Sequence, residues 1–145
     1  MNQARDLGIE ARFMGAAGLS NEAIMTLAPE ASQHAIATAY FYASLDAEAK
    51  AWTERYTKLY AGAAQAPRPS QAAPAYRAVK MVAPCLAEGG ADKDKLRACI
   101  KAWHGTIFGL PPVEANFDDT NQLVVPVVVE SVEGKAFALL PGANQ

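Results

Sequence analysis

The chain has 145 residues, 51% of them hydrophobic and 19% charged, with a formal net charge of −2. That length suits one domain, which buries roughly 70% of its unfolded surface and folds without a metal or disulfide staple. The near-zero charge excludes a general attraction to polyanions, and no stretch approaches the ~18–20 apolar residues of a membrane-spanning helix.

Residues 3–17 read as a first helix, with Leu7, Phe13 and Met14 apolar and Gly15 or Gly18 ending it. Ser20 is an N-cap candidate, and Leu19 with Ile24 has the spacing of a hydrophobic staple. This short helix runs to Leu27, before Pro29. From Pro29 the helical spacing is strongest. Ala37, Phe41, Leu45, Ala49, Trp52, Tyr56 and Leu59 recur at steps of three or four, with Lys50, Glu54 and Lys58 on the other side. Unbroken to Ala61, this helix would be about 48 Å long, so a bend is expected near Ser44–Asp46, where Asp46 can cap a second helix. Residues 62–74, with Pro67, Pro69 and Pro74, read as a strap.

A helical hairpin is expected over 75–109. Tyr76, Val79, Val82 and Leu86 form one stripe, Asp92 caps the second helix, and Leu96, Ile100, Trp103 and Ile107 form its stripe. Asp118 to Asn121 read as a turn. Two apolar runs follow, Leu123–Val129 and Ala136–Leu140, as a β-hairpin over 122–141. A Glu133-Gly134 turn would set Val132 opposite Lys135. Pro126 cannot donate to a ladder, so any further strand is expected beside 136–141. The fold class read from these elements is α+β: a single domain, 1–145, mostly a helical antiparallel bundle with N-terminal helices in 1–61 and a C-terminal β-hairpin.

Catalytic, phosphate-binding and dinucleotide-binding motifs are absent from the sequence. Cys85 and Cys99 sit almost symmetrically about the turn at Asp92. The simpler reading is two small side chains packed in the helix seam, with a disulfide as the alternative. Two cysteines, and an N-terminus without the charged-then-apolar order of a secretory signal, point to a bacterial-type cytoplasmic protein. His34 and His104 match no zinc spacing with those cysteines, and Asp118, Asp119 and Asn121 are too few for calcium. No metal or cofactor is expected. Lys93, Arg97 and Lys101 read as the solvated side of an amphipathic helix.

The valine-rich hairpin is too apolar on both faces to stand alone. The functional reading is therefore a non-catalytic interaction or assembly module, an adaptor, chaperone-like or structural subunit. Val125, Val127, Val129, Phe137 and Leu139 would form its contact surface, with Tyr40 and Tyr42 of the aromatic run. Its partner would be another protein or a second copy, with no nucleic acid and no membrane. The alternative is a small thiol-dependent enzyme or ligand sensor, with a pocket between the aromatic helix and the cysteine-bearing hairpin.

Overall fold

The computed structural model describes residues 1–64 and 66–143; Gln65, inside the expected strap, lies outside them, as do Asn144 and Gln145. The chain forms two compact units, Met1–Tyr40 with Val127–Gln145, and Phe41–Pro126. Both combine helices with a sheet, so the helical bundle expected from the spacing is corrected to an α/β architecture.

Unit one contains α1 (Asn2–Asp6), β1 (Met14–Gly15), α2 (Ala23–Leu27), β2 (Ile36–Ala39), β6 (Val128–Glu133) and β7 (Ala136–Leu139). Its sheet runs in the order β1-β2-β6-β7, with β1 parallel to β2 and the other pairs antiparallel. The helix expected from Pro29 is here a turn followed by β2. Ala35, Ala37 and Ala39 are all buried, alternating with half-buried Ile36 and Thr38. That is the period of a strand, written in residues whose intrinsic preference is helical. Ala39 lies opposite Val128 and Ala37 opposite Glu130, and opposed residues share a face. The small alanines therefore sit beside fully buried Val128 and Val132.

The hairpin of β6 and β7 has its turn at Gly134-Lys135, setting Val132 opposite Phe137 and Glu133 opposite Ala136. This is a shift from the expected register, and Gly134 supplies the positive φ (64°) that the turn needs. The sheet grows beside β6, not beside 136–141. Pro126 precedes β6 and so withholds no donor from the ladder. Likewise α1 stops at Asp6, and Met14–Gly15, expected in the first helix, pairs as β1 with β2.

Unit two contains α3 (Ala47–Leu59), α4 (Pro69–Gly89), α5 (Lys93–Lys101) and a small antiparallel sheet of β3 (His104–Gly105), β4 (Ala115–Phe117) and β5 (Leu123–Val124). Asp46 caps α3 by accepting from the Ala49 amide at 2.7 Å, and its other oxygen accepts from the Gly109 amide. The strap is shorter than expected because α4 begins at Pro69, the first helical position, where a missing N–H costs nothing. Pro74 and Pro84 lie within α4 on its exposed side, where the carbonyls they leave unbonded can meet solvent. The core packs Phe41, Ala49, Trp52 and Ala73 against Tyr56 and Phe108. Phe41 meets Trp52 edge-on at 5.5 Å, and the Arg77 guanidinium lies over Phe41 and Phe108 while donating to the Phe108 carbonyl. Burial brings the Arg77 pKa down to about 10, with Asp46 opposing that shift.

Candidate functional site

Parallel β1 and β2 send their carboxyl ends to the same edge of the sheet. In open α/β sheets that edge is where small molecules dock, because the loops leaving it carry unpaired backbone groups. In unit one it gathers the loop Ala16–Ser20 after β1, Tyr40 after β2, and Val127, which enters β6 beside Ala39. The loop folds back over its strand, with Leu19 donating its amide to the Ala16 carbonyl at 2.8 Å. A Cβ at Gly15 would come within 3.0 Å of the Leu19 side chain, so glycine lets the loop lie this close. The amides of Ala17 and Gly18 stand outside the backbone hydrogen bonds of the described residues. Tyr40 is 50% exposed, offering an aromatic face beside them on the same edge.

Beneath this edge lies Glu130, 3% exposed. Burial pushes its carboxyl above the usual carboxylate range, and a hydrogen bond from the Ser20 hydroxyl pulls the other way. Its Oε1 has no protein partner among the described residues. Sequence reasoning took Ser20 for a helix cap. In the structure the cap position is Glu22, and Asn21 accepts from the Ala23 amide. On the opposite face of β6, the Ser131 hydroxyl and His34 Nδ1 hold the Glu133 carboxyl below its usual range, at 2.8 and 3.3 Å.

The residues singled out from sequence are dispersed. Tyr40 and Val127 lie at the carboxyl edge. Val129 points to the face opposite Glu130, Leu139 lies across from Glu130 and Phe137 across from Val132. Val125 and Tyr42 belong to unit two, where Tyr42 donates its amide to the Gly109 carbonyl. Cys85 and Cys99 are joined by a disulfide that ties α4 to α5. His104 is not in the last turn of α5 but in β3, paired with Glu114 at 2.9 Å. Between the aromatic helix α3 and α4, Trp52 and Tyr76 are in ring contact at 5.6 Å. Lys93, Arg97 and Lys101 rim a groove of about 590 Å³ in unit two, floored by Leu96, Ile100 and Phe117. Asp118 closes a turn, accepting from Thr120 and Gln122, and those bonds hold its carboxyl low. No described helix is long and apolar enough to cross a membrane.

A family model described as periplasmic binding protein matches residues 1–136. The chain belongs to the periplasmic binding protein family. It is 30% identical over 124 residues to the leucine-, isoleucine-, valine-, threonine- and alanine-binding protein of Pseudomonas aeruginosa, covering 85% of this chain and 31% of that protein. Among solved structures, the leucine-binding protein LivK of Thermotoga maritima superposes with a TM-score of 0.73 at 20% identity, over 95% of this chain and 39% of that one. An ABC transporter substrate-binding protein from Desulfitobacterium hafniense, in complex with leucine, gives 0.72 at 17% identity, over 96% and 38%. The chain therefore spans between three and four tenths of the length of these relatives.

Family membership overturns several expectations. The family's fold is an α/β lobe, not a helical bundle. The adaptor or chaperone-like reading fails with it, because the family is one of periplasmic binding proteins and the curated relative is named for binding small amino acids. The reading as an oligomer or protein-binding module goes the same way, and the ligand-sensor half of the alternative lies closer. The family is one of binding proteins and not of enzymes. The expected protein partner, with no membrane association, is corrected by relatives named for amino acids and for ABC transport. Cytoplasmic placement gives way to the periplasm of the family, an oxidising compartment that suits the Cys85–Cys99 disulfide.

Proposed function

We propose that the chain is part of a solute-binding protein that holds an aliphatic amino acid for an ABC transporter. The observation that carries this reading is the 30% identity, over 85% of the chain, to a protein named for binding leucine, isoleucine, valine, threonine and alanine. The carboxyl edge of unit one supports it chemically. A zwitterionic amino acid needs N–H donors for its carboxylate and an apolar surface for its side chain. Ala17 and Gly18 supply such amides, while Leu19, Val127 and the ring of Tyr40 supply apolar surface.

Isothermal titration calorimetry of the full-length protein against the twenty standard amino acids tests the proposal. Leucine, isoleucine, valine or alanine is expected to bind with a dissociation constant of about 10 μM or tighter, near −7 kcal/mol. At a hundredfold excess over that constant the ligand should add about 2.7 kcal/mol of stability, visible as a rise in melting temperature. Failure of all twenty to bind or stabilise would refute the reading.

A further inference from the structure

Helix α5 is amphipathic, yet it buries none of its residues fully. Its apolar stripe, Leu96 and Ile100, lies half-buried on the floor of the groove in unit two, with Phe117 of β4 completing that floor. Steps of about 100° per residue set Lys93, Arg97 and Lys101 in a row beside the stripe, about 12 Å from end to end. That row is the rim. Both ion pairs among the described residues are histidine pairs, so no carboxylate neutralises these three cations by contact. Asp118, whose charge Lys101 acts on, has its carboxyl engaged by Thr120 and Gln122. Both walls are fixed. The Cys85–Cys99 bond ties α5 to α4, and Asp92 caps α5 by accepting from the Asp94 and Lys95 amides. Opposite, three bonds to the Asp118 carboxyl hold the turn that carries Asn121 at φ +63°, and Asn121 adds a carboxamide to the lining.

We propose that this groove is a second binding site, in a different unit from the carboxyl edge, for a soluble amphiphilic anion: an acyl or aryl body bearing one carboxylate or sulfonate group. Its volume of about 590 Å³ is that of a small-molecule site. The apolar body covers Leu96, Ile100 and Phe117, taking out of water a surface that an amphipathic helix ordinarily hides. The acid group lies on the row of cations, where neighbours at i and i+4 stand roughly 6 Å apart and share one oxyanion. Concavity and charge together select this ligand. An inorganic anion leaves the floor wet, a neutral apolar molecule leaves the cations unmatched, and a zwitterion brings an ammonium group up to them. The site thus differs in chemistry from the amino-acid site proposed above and does not depend on it.

Two anions probe the groove in the full-length protein, with and without leucine: dodecanoate by calorimetry and anilinonaphthalene sulfonate by fluorescence. One equivalent of each is expected to bind with a dissociation constant of about 10–100 μM. Phenylnaphthylamine, which lacks the sulfonate, and inorganic phosphate, which lacks the body, should bind about tenfold more weakly or not at all. Replacing the row, as Lys93→Gln, Arg97→Gln and Lys101→Gln together, should weaken both anions about tenfold. All three side chains are exposed, so melting temperature and leucine affinity should stay those of wild type. Raising sodium chloride from about 0.05 to 0.5 M should weaken binding several-fold in wild type and little in the variant. Displacement of either anion by leucine would place it in the amino-acid site and overturn the proposal. Wild-type affinity in the triple variant, or equal affinity for phenylnaphthylamine, overturns it as well. So does the absence of binding, the result expected if another part of the chain or a second copy covers the floor. Co-sedimentation with phosphatidylglycerol vesicles, without binding of the soluble anions, would assign the row to a membrane surface and equally overturn it.

Discussion

Gly109 occupies the tightest position in unit two, and replacing it with alanine is the most direct test of the packing described here. Its φ is +71°, which costs an L-residue roughly 1–2 kcal/mol. A Cβ there would lie 2.6 Å from Cε2 of Phe41 and closer still to Cδ2, with the Arg77 guanidinium 3.3 Å away. Neither neighbour can retreat. Phe41 is wedged edge-on against Trp52, and Arg77 is held over both phenyl rings by its bond to the Phe108 carbonyl. Overpacking of this kind adds about 1–3 kcal/mol, so Gly109→Ala should destabilise by about 2–5 kcal/mol in total. Gly62 is the control within the same unit: its φ is +80°, and a Cβ there meets nothing within 4 Å. Gly62→Ala should therefore lose about 1–2 kcal/mol, from backbone strain alone. Urea denaturation followed by tryptophan fluorescence reads both, since Trp52 is in the core beside Phe41. With a slope of about 2 kcal/mol/M, a 3 kcal/mol loss moves the midpoint by about 1.5 M. Equal losses for the two variants would refute the argument that Phe41 and Arg77 make this site rigid.

Reducing the Cys85–Cys99 disulfide, which spans a sequence separation of 14, should cost about 3 kcal/mol; melting with and without dithiothreitol measures it. Asp46→Ala removes the cap of α3 and orphans the Gly109 amide, a loss of about 2–4 kcal/mol by denaturant titration. Asp46→Asn keeps one acceptor and should lose about 1 kcal/mol. Glu130 has a folded-state pKa raised by burial, so it favours folding below its ordinary carboxylate range, and that contribution is lost as pH rises through the folded value. Glu130→Gln should therefore gain on wild type as pH increases across that window. A constant difference between the two stability curves from pH 4 to 8 would refute the burial argument.

How far the sequence discloses this molecule depends on which residues carry each signal. Asp46 as a cap, the stripe of Ala49, Trp52 and Tyr56, and the turn at Asp118 are legible because local chemistry decides them. Strand β2 is not. Its alternation is written in alanine, whose helix preference agrees with the accidental four-residue spacing of Ala37, Phe41 and Leu45. The partners that make it a strand, Val128 to Ser131, are some 90 residues away and invisible to any local window. Pro69 and Pro74 suggested an extended strap, but one opens a helix and the other is absorbed on an exposed side. At the candidate site, Tyr40 stood out as one of three consecutive aromatics. Ser20 and Glu130 did not, since a serine before a short helix and a glutamate in a hairpin each have an ordinary local explanation. The burial of Glu130 is decided in three dimensions alone.

The arrangement of β2 and β6 has a consequence for how the polypeptide matures. These neighbours are separated by the whole of residues 41–126, which form a unit of their own. During synthesis or export, β2 emerges well before β6, so the flank that β6 covers stays unpaired until residues 128–133 arrive. A nascent chain paused before residue 128 should thus hold β2 as a vulnerable strand, making the arrival of β6 a step at which a chaperone matters.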